Sequence, residues 1–474
     1  MTTHIPPTGQ PLGPEQTPPD DQPGSDDVLA HVSTGAMTRA QTVAVLVAIF
    51  LNVIDGFDVL VMAFTSTSVA SYFDLAPDQL GWLLSAGPVG MAIGAIFIAP
   101  VADRIGRRPV TLAALVAVTV FMGLSAMATS AGMLGIMRFA TGIGVGAMLP
   151  NLTTFVSEFS TARWREPAVT LNSLGYALGG LVGGAISVPL IASYGWRAAF
   201  WLGAGLGLVG LVATWRFVPE SIHYLIGRRP DGALERVNGV LARIGRAPVT
   251  ALPELTHQER ARFRDMFRGS LGRTTILVWI AFFCLLAAFY FANSWTPKLL
   301  ADSGLSEQQS IVGGVMISLG GVVGALAFAL LAIRAPARLL EVGVLICGAL
   351  SFVLFSFVLS SAIPALISAV LVGIFINAMV AGMYAVVVTR YPAAIRGAGV
   401  GWGVGFGRFG AILAPSIAGS LLAAGMEPRS LYFVFAVPMV IAAVAVLCIR
   451  SGVASDFAVA KPEGEPKGRG LAAS

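Results

Sequence analysis

Apolar stretches long enough to cross a lipid bilayer recur along nearly the whole chain. A transmembrane helix needs about 20 consecutive residues that are mainly apolar, and the sequence holds twelve such stretches. The 474 residues are 56% hydrophobic and only 12% charged, and a soluble domain could not cover so much apolar surface with so few charges. The sequence therefore predicts an all-α polytopic membrane protein with twelve transmembrane helices.

One polar segment, at 219–273, divides the twelve predicted spans into two groups of six. The spans lie at 41–68, 80–101, 109–129, 131–157, 167–191, 198–218, 274–297, 309–333, 340–360, 364–389, 397–425 and 430–450. We therefore predict two six-helix bundles, at 41–218 and 274–451, joined by a central loop at 219–273. The ends at 1–40 and 452–474 are rich in Pro, Gly and charged residues, as is typical of disordered tails.

Arginine is distributed unequally between the loops on the two sides of the predicted spans. One set of loops carries the ten arginines of the central segment together with Arg104, Arg107, Arg108, Arg163, Arg165, Arg334, Arg338, Arg390 and Arg396, and the opposite set carries only Arg197, Lys298 and Arg429. Short loops rich in Lys and Arg usually face the cytoplasm. The central loop and both termini are therefore predicted to be cytoplasmic in a plasma or inner membrane, and the net charge of +5 requires no nucleic-acid partner.

The two groups of spans also resemble a duplicated unit. An offset of 230 residues aligns Arg104 with Arg334 and Arg108 with Arg338. Many secondary transporters are built from two related bundles that rock about a central binding site. We therefore predict two pseudo-symmetric six-helix bundles with a site between them.

Very few ionisable residues remain inside the predicted spans. Apart from the span ends, they are Asp55 and Asp58 in the first span, Arg138 in the fourth and Arg408 in the eleventh. Each costs about 2.5–3.5 kcal/mol at the bilayer centre, so such residues usually face an interior cavity and mark a transport pathway. No histidine lies in a predicted span, so proton transfer within the membrane is assigned to the carboxylates.

Asp55 and Asp58 lie three residues apart, on one face of a helix. Two carboxylates so close together in a low dielectric cannot both ionise cheaply. At a rise of about 1.5 Å per residue, Asp55 lies roughly 20 Å from the cytoplasmic end of its helix, and Arg138 comes at the same depth. The pattern favours a proton site beside an arginine; a purely structural ion pair is the alternative, and which aspartate carries the proton stays open.

Arg408 lies in the glycine-rich stretch "GVGWGVGFGRFG" of the eleventh span. The fork of donors on an arginine suits a carboxylate bound through both oxygens. Arg408 is therefore a candidate for binding a substrate carboxylate, and the alternative is that it pairs with an acidic residue elsewhere in the chain.

Three motifs resemble those of the major facilitator superfamily. They are "VADRIGRRP" at 101–109, "RFATGIGVGAMLP" at 138–150 and "VPES" at 218–221. Three more resemble the aromatic acid:proton symporter family within it: "DGFD" at 55–58, "NSWTPKLL" at 293–300 and "YPAAIRGAGVGWGVGFGRFGAILAP" at 391–415. The resemblance extends over all twelve spans and implies the major facilitator fold.

The resemblance implies a secondary transporter, not an enzyme. It implies import of a small aromatic carboxylate, such as benzoate or 4-hydroxybenzoate, together with protons by alternating access, in a protein that works as a monomer in the lipid bilayer. The proton gradient would be the driving force, and no cofactor is expected. The alternatives are a transporter of a non-aromatic organic acid, a drug exporter that exchanges protons, and, least favoured, a membrane receptor or enzyme.

The resemblance also implies roles for particular residues. Asp55 and Asp58 would couple protons, and Arg138 and Arg408 would bind the substrate. Aromatic and amide side chains could complete a pocket for the ring, because an aromatic face stacks on a flat ligand; they are Tyr176, Tyr290, Asn293 and Trp295.

A gate on the cytoplasmic side is implied by the loop motif. It would consist of Asp103, Arg104, Arg107 and Glu158, although Glu158 could equally be an ordinary solvated helix end. Ala99 stands where the loop motif usually has glycine, and Ile333 stands where the repeat would place the acid of a second gate. The sequence therefore predicts a gate in the first half of the chain only.

Overall fold

The computed structural model describes residues 28–253, 263–267 and 269–449. Within these residues, twelve helices are long and apolar enough to cross a membrane, and the same residues contain no β-strand. Helices suit a bilayer because each satisfies its backbone hydrogen bonds internally. The prediction of an all-α polytopic protein with twelve transmembrane helices is confirmed.

The long helices follow one another through short connections, except at the central segment. They are α1 Arg39–Phe73, α2 Pro77–Ile105, α3 Arg107–Ala126, α4 Ala131–Phe159, α5 Ala162–Tyr194, α6 Arg197–Phe217, α7 Ser270–Asp302, α8 Glu307–Ala332, α9 Ala337–Val358, α10 Ala362–Val388, α11 Ala393–Ala423 and α12 Pro428–Cys448. Hydroxyl side chains cap several of the N-termini, as Thr38, Ser130 and Ser306 do for α1, α4 and α8. These caps satisfy backbone N–H groups that have no partner within the helix.

Two ends of the bundle can be distinguished by their loops. We call one end the arginine-rich face, defined by Arg104, Arg107, Arg163, Arg334 and Arg390, which lie at the connections α2–α3, α4–α5, α8–α9 and α10–α11. We call the other end the opposite face; it holds the connections α1–α2, α3–α4, α5–α6, α7–α8, α9–α10 and α11–α12. Helix α1 therefore runs from the arginine-rich face to the opposite face.

The two six-helix halves meet through helices that touch toward the opposite face. The Ser85 hydroxyl of α2 lies 2.8 Å from the Ser416 hydroxyl of α11 and donates to the Ile412 carbonyl at 2.8 Å. Ser68 at the end of α1 bonds Glu307 at the start of α8. The halves are thus closed against each other at the opposite face.

Glycines allow the helices of the first half to approach at the depth of the buried charges. A Cβ on Gly56 of α1 would collide with the Tyr176 carbonyl of α5, and a Cβ on Gly142 of α4 would collide with the Gly87 carbonyl of α2. Small residues permit such contacts between membrane helices. They bring Tyr176 beside α1 and hold α4 against α2.

The arginine-rich end of the first half is covered by two segments. Val28 and Val32, within the stretch that the sequence assigns to the N-terminal tail, are buried, and Thr38 donates to the Ile244 carbonyl at 2.7 Å. Ile244 follows Ala233–Arg243, a helix of the central segment. Residues 1–27 of the predicted N-terminal tail at 1–40, and the predicted C-terminal tail at 452–474, lie outside the described residues.

Candidate functional site

Asp58 and Arg138 form a buried ion pair at the centre of the first half. Arg138 donates from Nη1 to Asp58 Oδ1 at 2.8 Å and from Nη2 to Oδ2 at 3.1 Å, and Nη2 also donates to the Asp58 carbonyl at 2.9 Å. Such two-point contacts are among the stronger hydrogen bonds in proteins. The carboxylate and guanidinium therefore neutralise each other and fix α4 against α1.

The residues around Arg138 leave space for its guanidinium group and make further contacts with it. Gly87 of α2 has no side chain there, and a Cβ on it would lie 3.8 Å from Nη2. Met122 accepts from Nη1 through its sulfur at 3.2 Å, and the Phe200 ring centroid lies 5.9 Å from the guanidinium carbon. At 3.8 Å from Nη2 a Cβ makes ordinary van der Waals contact, so an alanine at position 87 fits beside the arginine.

Asp55, one helical turn away, has a different environment. It is 1% exposed, and neither of its carboxyl oxygens has a hydrogen-bond partner among the described residues. A charged carboxylate that is buried without a partner is very unfavourable, so this environment favours the neutral, protonated form. The two aspartates share a helix face, as predicted, but only Asp58 is paired with Arg138.

The structure gathers three further predicted residues beside Asp55. Arg408 of α11 donates to the Tyr290 hydroxyl of α7 at 3.2 Å, and both lie within electrostatic range of Asp55 and of Tyr176 on α5. The Tyr176 hydroxyl has no partner among the described residues. One half thus supplies a carboxyl group and the other a cation, with phenol rings from both.

A small cavity connects the ion pair with the second half. Its wall includes Asp58, Arg138 and Gly87 from the first half and Tyr290 and Ser294 from the second. The volume is about 20 Å³, which is room for about one water molecule. Tyr290 therefore borders both the cavity and Arg408.

Two other predicted residues of α7 lie apart from this cluster. The Trp295 indole is fully buried and donates to the Pro415 carbonyl of α11 at 3.0 Å, where the halves meet. The Asn293 amide donates to the Phe289 carbonyl of its own helix at 2.9 Å. The structure does not bring Trp295 to Arg408; it places the indole in the closed contact between the halves.

The predicted gate residues form a network at the arginine-rich face. Arg107 is paired with Glu158, which also accepts from the Ser221 hydroxyl at 2.6 Å. The Glu158 side chain is only 6% exposed, so it is not an ordinary solvated helix end. Asp103 lies at the edge, since its side chain is 72% exposed and 3.9 Å from Arg107.

Arg104 contributes to this network through its backbone, and Glu220 contributes without having been predicted. The Tyr224 hydroxyl donates to the Arg104 carbonyl at 3.4 Å. Glu220 accepts from the backbone N–H of Arg107 at 2.9 Å and of Arg108 at 3.2 Å. It therefore caps the N-terminus of α3, where a negative charge is favourable; the "VPES" motif was the available signal.

A second unpredicted carboxyl group lies in the other half. Glu341, in the first turns of α9, is fully buried, and neither oxygen has a partner among the described residues. The nearby Arg338 donates instead to the Val446 carbonyl at 3.2 Å, and burial together with Arg338 lowers the pKa of Arg390. The buried carboxyl of this half thus lies in the first turns of α9, eight residues after Ile333.

Comparisons with known proteins agree with this architecture. Residues 45–371 match the sequence profile of the Major Facilitator Superfamily. The chain is 33% identical to the 4-hydroxybenzoate transporter PcaK of Pseudomonas aeruginosa, over 89% of this chain and 95% of that one. It is 31% identical to a gallate transporter of Pseudomonas putida, over 91% and 96%. Among solved structures, a D-xylose-proton symporter matches with a TM-score of 0.70 at 18% identity, over 86% and 97%.

Proposed function

Because the chain belongs to the major facilitator superfamily, we propose that it imports a small aromatic carboxylate together with protons. The names of the relatives, a 4-hydroxybenzoate transporter and a gallate transporter, support this class of substrate. The observation that carries the proposal is that Asp55, a buried carboxyl without a hydrogen-bond partner among the described residues, lies within electrostatic range of Arg408, a cation of the other half.

Arg408 is the residue that we assign to the substrate carboxylate. It has no ion pair among the described residues, and its one hydrogen bond goes to the neutral Tyr290 hydroxyl. Its fork can therefore accept a carboxylate through both oxygens. Tyr176 and Tyr290 lie next to it and offer ring faces on which an aromatic ligand stacks.

Asp55 is the residue that we assign to the coupling proton, and Asp58 is assigned to holding Arg138. When the substrate anion binds Arg408, the cation no longer favours the ionised form of Asp55, so the carboxyl retains its proton more readily. The substrate anion and Arg408 then neutralise each other beside a neutral acid. A site without net charge lets the protein change between its two access states at the lowest electrostatic cost, because no net charge is then buried in the membrane.

We place the arginine-rich face and both termini in the cytoplasm, and the protein in a plasma or inner membrane, where it works as a monomer. The excess of arginine at that face supports this orientation. The contacts that close the opposite face then separate the site from the outside. The proton gradient drives uptake, and we propose no bound cofactor.

The decisive experiment is uptake of labelled 4-hydroxybenzoate into proteoliposomes under an imposed pH gradient. Asp55→Asn should lower accumulation about tenfold or more while exchange of internal for external substrate persists, because exchange needs no proton release. Asp231→Asn, a change in the exposed part of the central segment, is the matched control. Full concentrative uptake by Asp55→Asn would refute the proton assignment.

The substrate class is tested with a pair of competitors. Benzoate and cyclohexanecarboxylate carry the same carboxylate on rings of similar size, and only benzoate is aromatic. Benzoate should compete about tenfold more strongly if stacking contributes about 1.4 kcal/mol. Equal competition would favour a general organic-acid transporter, and accumulation driven outward would favour a drug exporter.

A further inference from the structure

A line of buried oxygen atoms without partners runs along the interface of α1 and α5. It consists of both carboxyl oxygens of Asp55, the amide oxygens of Asn52 and Asn172, and the Tyr176 hydroxyl. Asn52, Asp55 and Asn172 are all buried. Native proteins leave few buried polar atoms unsatisfied, and the usual explanation is an ordered water molecule.

The line points from Asp55 toward the arginine-rich face. Asn52 precedes Asp55 by three residues on α1, and Asn172 precedes Tyr176 by four on α5, so each asparagine lies about one turn, or about 5 Å, nearer that face. The Asn52 amide nitrogen donates to the Asn172 carbonyl at 2.5 Å. The two asparagines therefore lie side by side, directly below the proposed proton site.

The line continues to an exposed hydroxyl. The Asn172 amide nitrogen lies 3.5 Å from the Thr153 hydroxyl of α4, and Thr153 is exposed. Six residues, or about 9 Å, separate Thr153 from the end of α4 at Phe159. Polar groups thus extend from Asp55 to an exposed hydroxyl about 9 Å from the arginine-rich end of α4.

The chemistry of this line suits a proton and not the substrate. The Asn52 amide nitrogen donates to the Asn172 backbone carbonyl and the Asn172 amide nitrogen to the Thr153 hydroxyl, whereas both amide oxygens are acceptors without a partner among the described residues. Acceptor oxygens attract water and hydronium, which donate hydrogen bonds, and they repel a carboxylate.

We propose that Asn52, Asn172 and Thr153 hold a file of water molecules through which Asp55 releases its proton to the arginine-rich face. The inference rests on the proposed function of Asp55. The O–H bond of the Asp55 carboxyl breaks, a new O–H bond forms on the first water, and the excess proton passes along the file to bulk water. Asp55 remains as a carboxylate within range of Arg408, and the amides themselves take up no proton.

The transport test compares net uptake with exchange. Asn172→Leu and Asn52→Leu remove the acceptors, so proton-driven uptake of labelled 4-hydroxybenzoate into proteoliposomes should slow about tenfold, while exchange, which needs no proton release, changes less than about twofold. Asn151→Leu is the matched control, because Asn151 is also a buried asparagine but donates to the Ala147 carbonyl of its own helix. Asn172→Ser keeps an oxygen acceptor and should restore much of the rate.

Equal slowing of uptake and exchange would show a merely structural role and would overturn the inference, as would unchanged rates.

A second measurement needs no substrate: the infrared band of the protonated Asp55 carboxyl, identified by its loss in Asp55→Asn, shifts when purified protein is moved into heavy water. Asn172→Leu should slow that shift about tenfold relative to Asn151→Leu. The water file would be overturned if the shift were as fast in Asn172→Leu as in Asn151→Leu, or if wild-type protein showed no such band. Failure of wild-type protein to transport aromatic acids would reject the proposed function separately, and the infrared result would still decide this inference.

Discussion

The two six-helix halves share one helix plan but differ in where they place buried charge. The first half buries Asp55, Asp58 and Arg138 at one depth, whereas the second half contributes the partly buried Arg408, which forms no ion pair among the described residues. The proposed proton carrier, Asp55, and the proposed substrate-binding cation, Arg408, therefore belong to different halves. The proposed coupling depends on the halves meeting, so that substrate bound by one changes the proton affinity of an acid in the other.

The same contrast is present at the arginine-rich face. In the first half, Glu158 pairs with Arg107, and Glu220 caps the following helix. In the second half, Glu341 is buried without a partner, and Arg338 donates to backbone carbonyls. Among the described residues, the buried acid at this face that is paired with a base lies in the first half.

Removal of the Asp58 carboxylate should have the largest effect on the buried charges of the first half. Asp58→Asn leaves Arg138 as a buried charge without its counterion, so the free energy of unfolding should fall by about 3–5 kcal/mol. Thermal unfolding of the detergent-solubilised protein measures the loss. Asp55→Asn is the matched change on the same helix and should leave the melting temperature unchanged or raise it, because no partner is lost. A larger loss from Asp55→Asn would reverse the two roles.

Arg408 provides the next largest expected effect. Arg408→Lys keeps the charge but loses the fork that holds a carboxylate through two oxygens, so the KM for 4-hydroxybenzoate should rise about 100-fold, equivalent to about 2.7 kcal/mol. Initial rates of uptake over a range of substrate concentrations give the value. Arg163→Lys, at an exposed position of the arginine-rich face, is the control. A KM that stays the same in Arg408→Lys would remove Arg408 from the substrate site.

The gate of the first half is tested through Glu158. Glu158→Gln removes the charged partner of Arg107, and the loss of one charge-assisted hydrogen bond should lower the free energy of unfolding by about 1.5–2 kcal/mol. Glu166→Gln, an exposed change on the neighbouring helix, should have no effect. Thermal unfolding compares the two, and equal stability of both variants would mean that the Arg107–Glu158 pair contributes nothing to the closed network.

The fold was predictable because a bilayer admits few solutions for such a sequence. Twelve apolar stretches become twelve helices, since no other open structure satisfies the backbone in lipid. Which of Asp55 and Asp58 pairs with Arg138 was not predictable. Residues three apart share a helix face, and a depth estimate resolves only about one turn. The pairing depends on tertiary contacts, such as that of Gly142 with Gly87, which set the position of Arg138.

Prediction from the sequence was also limited for residues near span ends and for side chains whose partners lie on other helices. Glu341 was excluded as a span end, yet α8 and α10 bury it completely, with a Cβ on Gly382 colliding with its carboxyl group. Trp295 belongs to a motif shared with the resembled family, but its indole hydrogen bond to Pro415 depends on how α7 packs against α11. Sequence patterns report depth and face, whereas the partner of a side chain is decided by packing between helices.

Glu341 gives the smallest expected effect and the clearest contrast with Glu158. A buried polar group without a partner destabilises a protein, and an apolar residue of similar shape is neutral or stabilising there. Glu341→Met should therefore raise the free energy of unfolding by up to about 1 kcal/mol, whereas Glu158→Met should lower it. Thermal unfolding of the two variants decides the matter. If Glu341→Met instead lowers stability as much as Glu158→Met, then Glu341 has a partner in solution, and the two halves are more alike at the arginine-rich face than the structure indicates.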